Sequence, residues 1–116
     1  MKVKELADMW IEYHHTDDDD ELYKAVTKLE RMVESDEERA WRVILTILKK
    51  DSCEAIISNL AAGPVEDILV QHGDAFIDKV EVKTEKDPNF KKVIMEVWQN
   101  EMPSDIWGRV VLLQNG

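Results

Sequence analysis

Apolar residues recur every three or four positions along almost the whole chain, the period of an amphipathic helix. Val3, Leu6, Trp10 and Tyr13 or His14 mark one face of a helix over about 3–15. Leu22, Val26, Leu29 and Val33 mark the next. The run TDDDDE ahead of it supplies a cap and several acids that suit a helix N-terminus. SDEE, from Ser35 to Glu38, has the form of a capping box, with Ser35 as cap and Glu38 as its reciprocal partner. The helix it opens, ERAWRVILTILKK, is apolar at 40, 41, 43, 44, 45, 47 and 48. That is wider than a surface stripe and predicts a central helix. DSCE starts another helix, capped by Asp51 or Ser52, with Ala55, Ile56, Ile57 and Leu60 facing inward.

NLAAGPVEDILVQHGD, residues 59–74, has the chemistry of a motif and the spacing of two corners. Gly63 can take positive φ and end a helix, and Pro64 fits the first position of the next. Glu66 and Asp67 then fall in a first turn, while Val65, Ile68, Leu69 and His72 share a face. Gly73 ends that helix and Asp74 caps another, over about 74–86. DPNF gives Asp87 as a cap and Pro88 at a first helical position, with Phe90, Val93, Ile94, Val97 and Trp98 inward. MPSDIW opens the last helix. No Asn-Gly hairpin lies between alternating runs, and VEVKT, although alternating, sits inside a helix-length segment. The pattern predicts an all-α fold: a compact bundle or short solenoid-like array of seven to eight short helices, in a single domain, 1–116.

Composition adds one feature. The formal net charge is −10, and residues 1–38 hold 13 acids against 5 bases, while 39–116 hold 12 against 10. An acidic surface repels nucleic acid and anionic lipid and speeds the encounter with a basic protein. The same charge also keeps a small protein soluble. The single cysteine, Cys53, leaves no internal disulfide. The first residues carry Glu5 and Asp8 where a signal peptide is apolar, and no run approaches the ~20 apolar residues of a membrane span. A cytoplasmic protein is the expectation, with neither membrane nor nucleic acid as partner.

Candidate chemistry is thin. Glu66, Asp67 and His72 could form an acid–base set, but His72 lies five residues from Asp67, about 140° around a helix. A calcium loop beginning at Asp17 needs Gly at its sixth position and Glu at its twelfth, where Leu22 and Lys28 stand. Zinc needs three or four convergent ligands from Cys53, His14, His15 and His72, and no two of these have zinc-motif spacing. Neither a phosphate loop nor a serine elbow occurs, and the basic residues are too dispersed for a nucleic-acid footprint. No catalytic residue, metal or cofactor is therefore assigned. All four tryptophans fall on apolar stripes and read as core. Trp10, beside the acidic run, is the one placed to anchor an interface.

LAAGPVEDILVQHGDAFID, followed by DPNF and VW, resembles a bacterial family of small proteins catalogued as a domain of unknown function. The resemblance covers roughly residues 38–110 and leaves the acidic N-terminal segment outside. It implies a standalone small protein and carries no activity.

These readings converge on a binding protein rather than an enzyme. Its most concrete form is a bacterial immunity protein that neutralises a nuclease-type toxin by covering the toxin's basic active-site surface. Asp17, Asp18, Asp19, Asp20 and Glu21 are the expected contact residues, with Glu12, Glu37, Glu38 and Trp10 beside them. The alternatives are a small-ligand binder or enzyme built on Glu66, Asp67 and His72, and a phage-encoded or regulatory inhibitor that mimics nucleic-acid charge.

Overall fold

The computed structural model describes all 116 residues. They are 82% helical, with no strand. α1 spans Val3–His14, α2 Asp20–Ser35 and α3 Glu37–Lys50. α4 runs Glu54–Leu60, continues through a π-helical segment, Ala61–Val65, and resumes as Glu66–Lys86. α5 spans Pro88–Met95 and α6 Ser104–Asn115. There are thus six helices where seven to eight were expected.

The discrepancy sits at the two expected corners. Gly63 does not adopt positive φ, and the chain stays helical through Pro64. A proline inside an α-helix removes one hydrogen bond and its ring clashes with the preceding turn. Widening that turn to π geometry keeps the run unbroken, because one residue too many is accommodated in place of a stop. At the second corner the helix bends at His72, whose φ of −134° and ψ of 33° are non-helical, and then carries on. Gly73 is therefore not a helix end. It is buried against α6, and a Cβ there would lie 2.9 Å from Ile106 Cγ1. The glycine permits close helix packing.

Other ends follow local chemistry. Asp19 caps α2 by accepting from the backbone N–H groups of Glu21 and Leu22, at 3.0 and 3.1 Å. Asp87 caps α5 in the same way, with Pro88 at the first helical position. The expected capping box does not form: Ser35 belongs to the last turn of α2 and donates to the Arg31 carbonyl, and Asp36 is the residue between the helices. Asp51 closes α3, and its Oδ1 accepts from the Cys53 N–H ahead of α4.

α1, α2 and α3 pack pairwise as one three-helix group, and the second leg of α4 packs with α5 and α6 as another. The first leg of α4 and the π-segment join them, touching α1, α2, α3 and α5. One hydrophobic cluster of 30 buried residues runs through both groups, from Leu6 to Val110. Trp41 sits at their junction, with its ring 5.8 Å from Phe76 and 5.6 Å from Phe90. The radius of gyration, 13.4 Å, is that of a compact chain of this length rather than of an extended array. α3 contributes six buried residues to the cluster, as its wide apolar face predicted.

Candidate functional site

The acidic corner joins α1 to α2. Thr16 donates to the Glu12 carbonyl at 2.8 Å and tightens the end of α1. Asp18 then takes φ of 40°, a left-handed conformation that aspartate tolerates better than most side chains. Asp19 is consumed as the cap. Asp17, Asp18 and Asp20 are exposed and form no ion pair, whereas Glu21 is paired to Lys24 at 3.0 Å. The α2 dipole stabilises part of this charge. It leaves three carboxylates with no protein partner, all at one exposed turn.

The structure does not gather all the expected contact residues here. Glu12 is exposed one turn before the corner. Glu37 and Glu38 open α3, at the opposite end of α2, which is 16 residues and therefore about 24 Å long. Glu38 is also engaged, pairing with Lys79 at 2.7 Å. Trp10 is only 2% exposed and stacks on His14 within the core, so it offers no surface to a partner. The exposed tryptophan is Trp98, at 73%, which was expected to face inward but lies beyond the end of α5.

Glu66, Asp67 and His72 go three separate ways. Glu66 is buried, and its carboxylate accepts from the Asn100 side-chain amide; burial, then the charge of Asp67, raises its pKa. Asp67 points toward α2, where burial and then Glu30 and Glu34 raise its pKa. The His72 Nε2 lies 2.7 Å from the Val33 carbonyl oxygen. The small cavity at the π-segment, about 180 Å³, is lined by Trp10, His14, Glu30, Asn59 and Pro64 among others, and by none of the three. His14 Nε2 is buried near it without a hydrogen-bond partner, and burial, with His15 nearby, lowers the His14 pKa. An acid–base set is not assembled.

Two groupings were invisible in the sequence. His15, Asp51 and Cys53 meet where α1, α3 and α4 end or begin, with their ligand atoms all within 4.8 Å of one another. Asp51 Oδ2 is 2.7 Å and Cys53 Sγ 3.8 Å from the same atom, His15 Nε2. The Cys53 N–H, then His15, lowers the Asp51 pKa and holds it as a carboxylate. A catalytic relay needs the acid on the other ring nitrogen, so this is not a nucleophile triad. The second grouping is a groove of about 770 Å³ along the outer face of α2, lined by Lys24, Lys28, Arg31 and Arg39 with Tyr23 and Met32. The basic residues are less dispersed than their spacing suggested.

Fold and surface define a small all-helical protein with charged groups conspicuous on its surface. The chain belongs to a family of unknown function (DUF6869), whose model matches residues 12–116. The acidic corner is therefore part of the family's extent and not an addition outside it. No curated protein and no solved structure matches the chain. No helix is long and apolar enough to cross a membrane.

Proposed function

We propose that the protein is a binding protein that inhibits a basic protein partner, and that the α1–α2 corner is its contact surface. The supporting observation is the turn of Asp17, Asp18 and Asp20, exposed and without ion pairs. Carboxylates without a partner break no ion pair on docking, and their field draws in a cationic surface. Asp18 in a left-handed conformation supports the same reading, since non-glycine residues at positive φ collect at functional turns. In its concrete form the protein is a cytoplasmic immunity protein, laying this corner in the phosphate-binding groove of a nuclease toxin.

The test is capture from the native host with wild-type protein and with the Asp17→Asn/Asp18→Asn/Asp20→Asn variant. The reading expects a basic protein held by the first, lost from the second, and inhibited when bound. A partner retained equally by both removes the corner from the interface. A second reading rests on the α2 groove: Lys28, Arg31 and Arg39, none of them in an ion pair, line a space of about 770 Å³ that suits a small anionic ligand. Binding lost on Lys28→Ala/Arg31→Ala, with the acidic variant unaffected, would favour that alternative.

A further inference from the structure

We propose that His15, Asp51 and Cys53 form a binding site for a divalent transition cation of the zinc class. The carrying observation is convergence on a single point. One imidazole nitrogen, one carboxylate oxygen and one sulfur face one another from three helix ends, brought together over 38 residues of chain. In the metal-free protein, Nε2 offers at most one proton to two facing groups, Oδ2 at 2.7 Å and Sγ at 3.8 Å. A cation placed among the three satisfies them all at once. Tetrahedral zinc, at ~2.0 Å from nitrogen and oxygen and ~2.3 Å from sulfur, puts its ligand atoms about 3.3–3.5 Å apart. The nitrogen–oxygen and nitrogen–sulfur separations, 2.7 and 3.8 Å, bracket that value, so side-chain adjustments of about half an ångström would set both to ligand spacing.

The donor set selects the ion. Nitrogen, sulfur and a single carboxylate suit zinc-like metals, whereas calcium and magnesium require mainly oxygen. Asp51 is preorganised, because its Oδ1 is tied to the Cys53 N–H at 3.0 Å and its Oδ2 already faces His15 Nε2, whose proton a metal would replace. His15 and Cys53 are exposed, so an ion can enter and a fourth position stays open to water or to a partner's side chain. The site adjoins the acidic corner, since His15 is two residues before Asp17. A bound ion would pin the start of that corner to the α3–α4 turn.

Cobalt(II) chloride is the probe, because a cobalt–thiolate bond gives a charge-transfer band that carboxylates do not. The proposal expects saturable one-to-one binding with that band, displaced by zinc. Cys53→Ser and His15→Gln should abolish the band with circular dichroism unchanged. Asp51→Asn should weaken binding roughly tenfold or more, since one of three donors is lost. The Asp17→Asn/Asp18→Asn/Asp20→Asn variant should keep the band at full strength. No saturable band in the wild-type protein overturns the proposal. So does a band that survives His15→Gln, or cobalt binding that Cys53→Ser leaves intact and the acidic variant removes.

Discussion

The imidazole of His72 lies 2.7 Å, through Nε2, from the carbonyl oxygen of Val33, 39 residues earlier. A carbonyl only accepts, so Nε2 carries the proton. Val33 is in the last turn of α2, where carbonyls lack intrahelical partners. His72, weighed in the sequence as one member of an acid–base set, is thus a C-terminal cap for another helix. His72→Ala should cost about 1–2 kcal/mol, from the lost hydrogen bond and an exposed carbonyl, measured by urea unfolding. His72→Gln, which can donate to the same oxygen, should recover part of it.

Two glycines that share a role in the sequence should separate when replaced by alanine. Apart from its chain neighbours, nothing lies within 4 Å of a Cβ at Gly63, and its φ is not positive. Pro64 crowds a Cβ on the helical residue before it, which offsets the roughly 0.5–1 kcal/mol gained through lower unfolded-chain entropy, so Gly63→Ala should leave stability within about 0.5 kcal/mol of wild type. At Gly73 the same gain meets Ile106, whose Cγ1, Cγ2 and Cδ1 all lie within 3.3 Å of the new atom. Ile106 is 2% exposed and cannot swing outward. Overpacking of this kind costs about 1–3 kcal/mol, which exceeds the entropic gain, so Gly73→Ala should destabilise. Chemical denaturation of the two variants checks the difference in size.

Burial raises the pKa of both Glu66 and Asp67, with Asp67 acting on the first and Glu30 and Glu34 on the second. A carboxyl raised on folding binds more protons in the native state than in the unfolded state. Its stabilising contribution is full below the unfolded pKa and is lost as pH rises through the folded value. Asp67→Asn should therefore raise the unfolding midpoint at pH 7, and the advantage should vanish below about pH 4, the ordinary carboxylate range. Asp51 runs the other way: its lowered pKa adds stability above the unfolded value, lost as pH falls through the folded one. Paired pH titrations of stability for Asp67→Asn and Asp51→Asn should slope in opposite senses.

The tryptophans divide sharply. Trp10→Ala should cost about 3–5 kcal/mol, as removal of a buried aromatic does. Trp98→Ala should change stability by less than ~0.5 kcal/mol, as expected of an exposed side chain. Trp98, unlike Trp10, should also be quenched by iodide.

Periodicity made α1, α2, α3 and α5 legible, because their buried residues recur every three or four positions, and α2 and α5 also carry local caps, Asp19 and Asp87. The breaks in α4 were misread for a physical reason. Gly-Pro and His-Gly are ordinary stop signals, and only tertiary packing shows that the first widens the helix and the second bends it. Trp98 was misplaced because its periodic position continues past the helix end at Met95. The acidic corner was visible as a run of like charge. The association of His15 with Cys53 was not, since the pair is created by α1 packing on α3 and leaves no spacing signature. The α2 groove was hidden likewise: Arg39 joins Lys24, Lys28 and Arg31 only when α3 folds back.

The central claim is that exposed, unpaired carboxylates at the α1–α2 turn guide this protein onto a basic partner. Stopped-flow association with the captured partner, over a range of salt concentrations, tests it most directly. The wild-type rate should fall steeply as salt screens the corner, while the Asp17→Asn/Asp18→Asn/Asp20→Asn variant should associate more slowly and with a flattened salt dependence. Equal rates and equal salt slopes for the two proteins would contradict the claim.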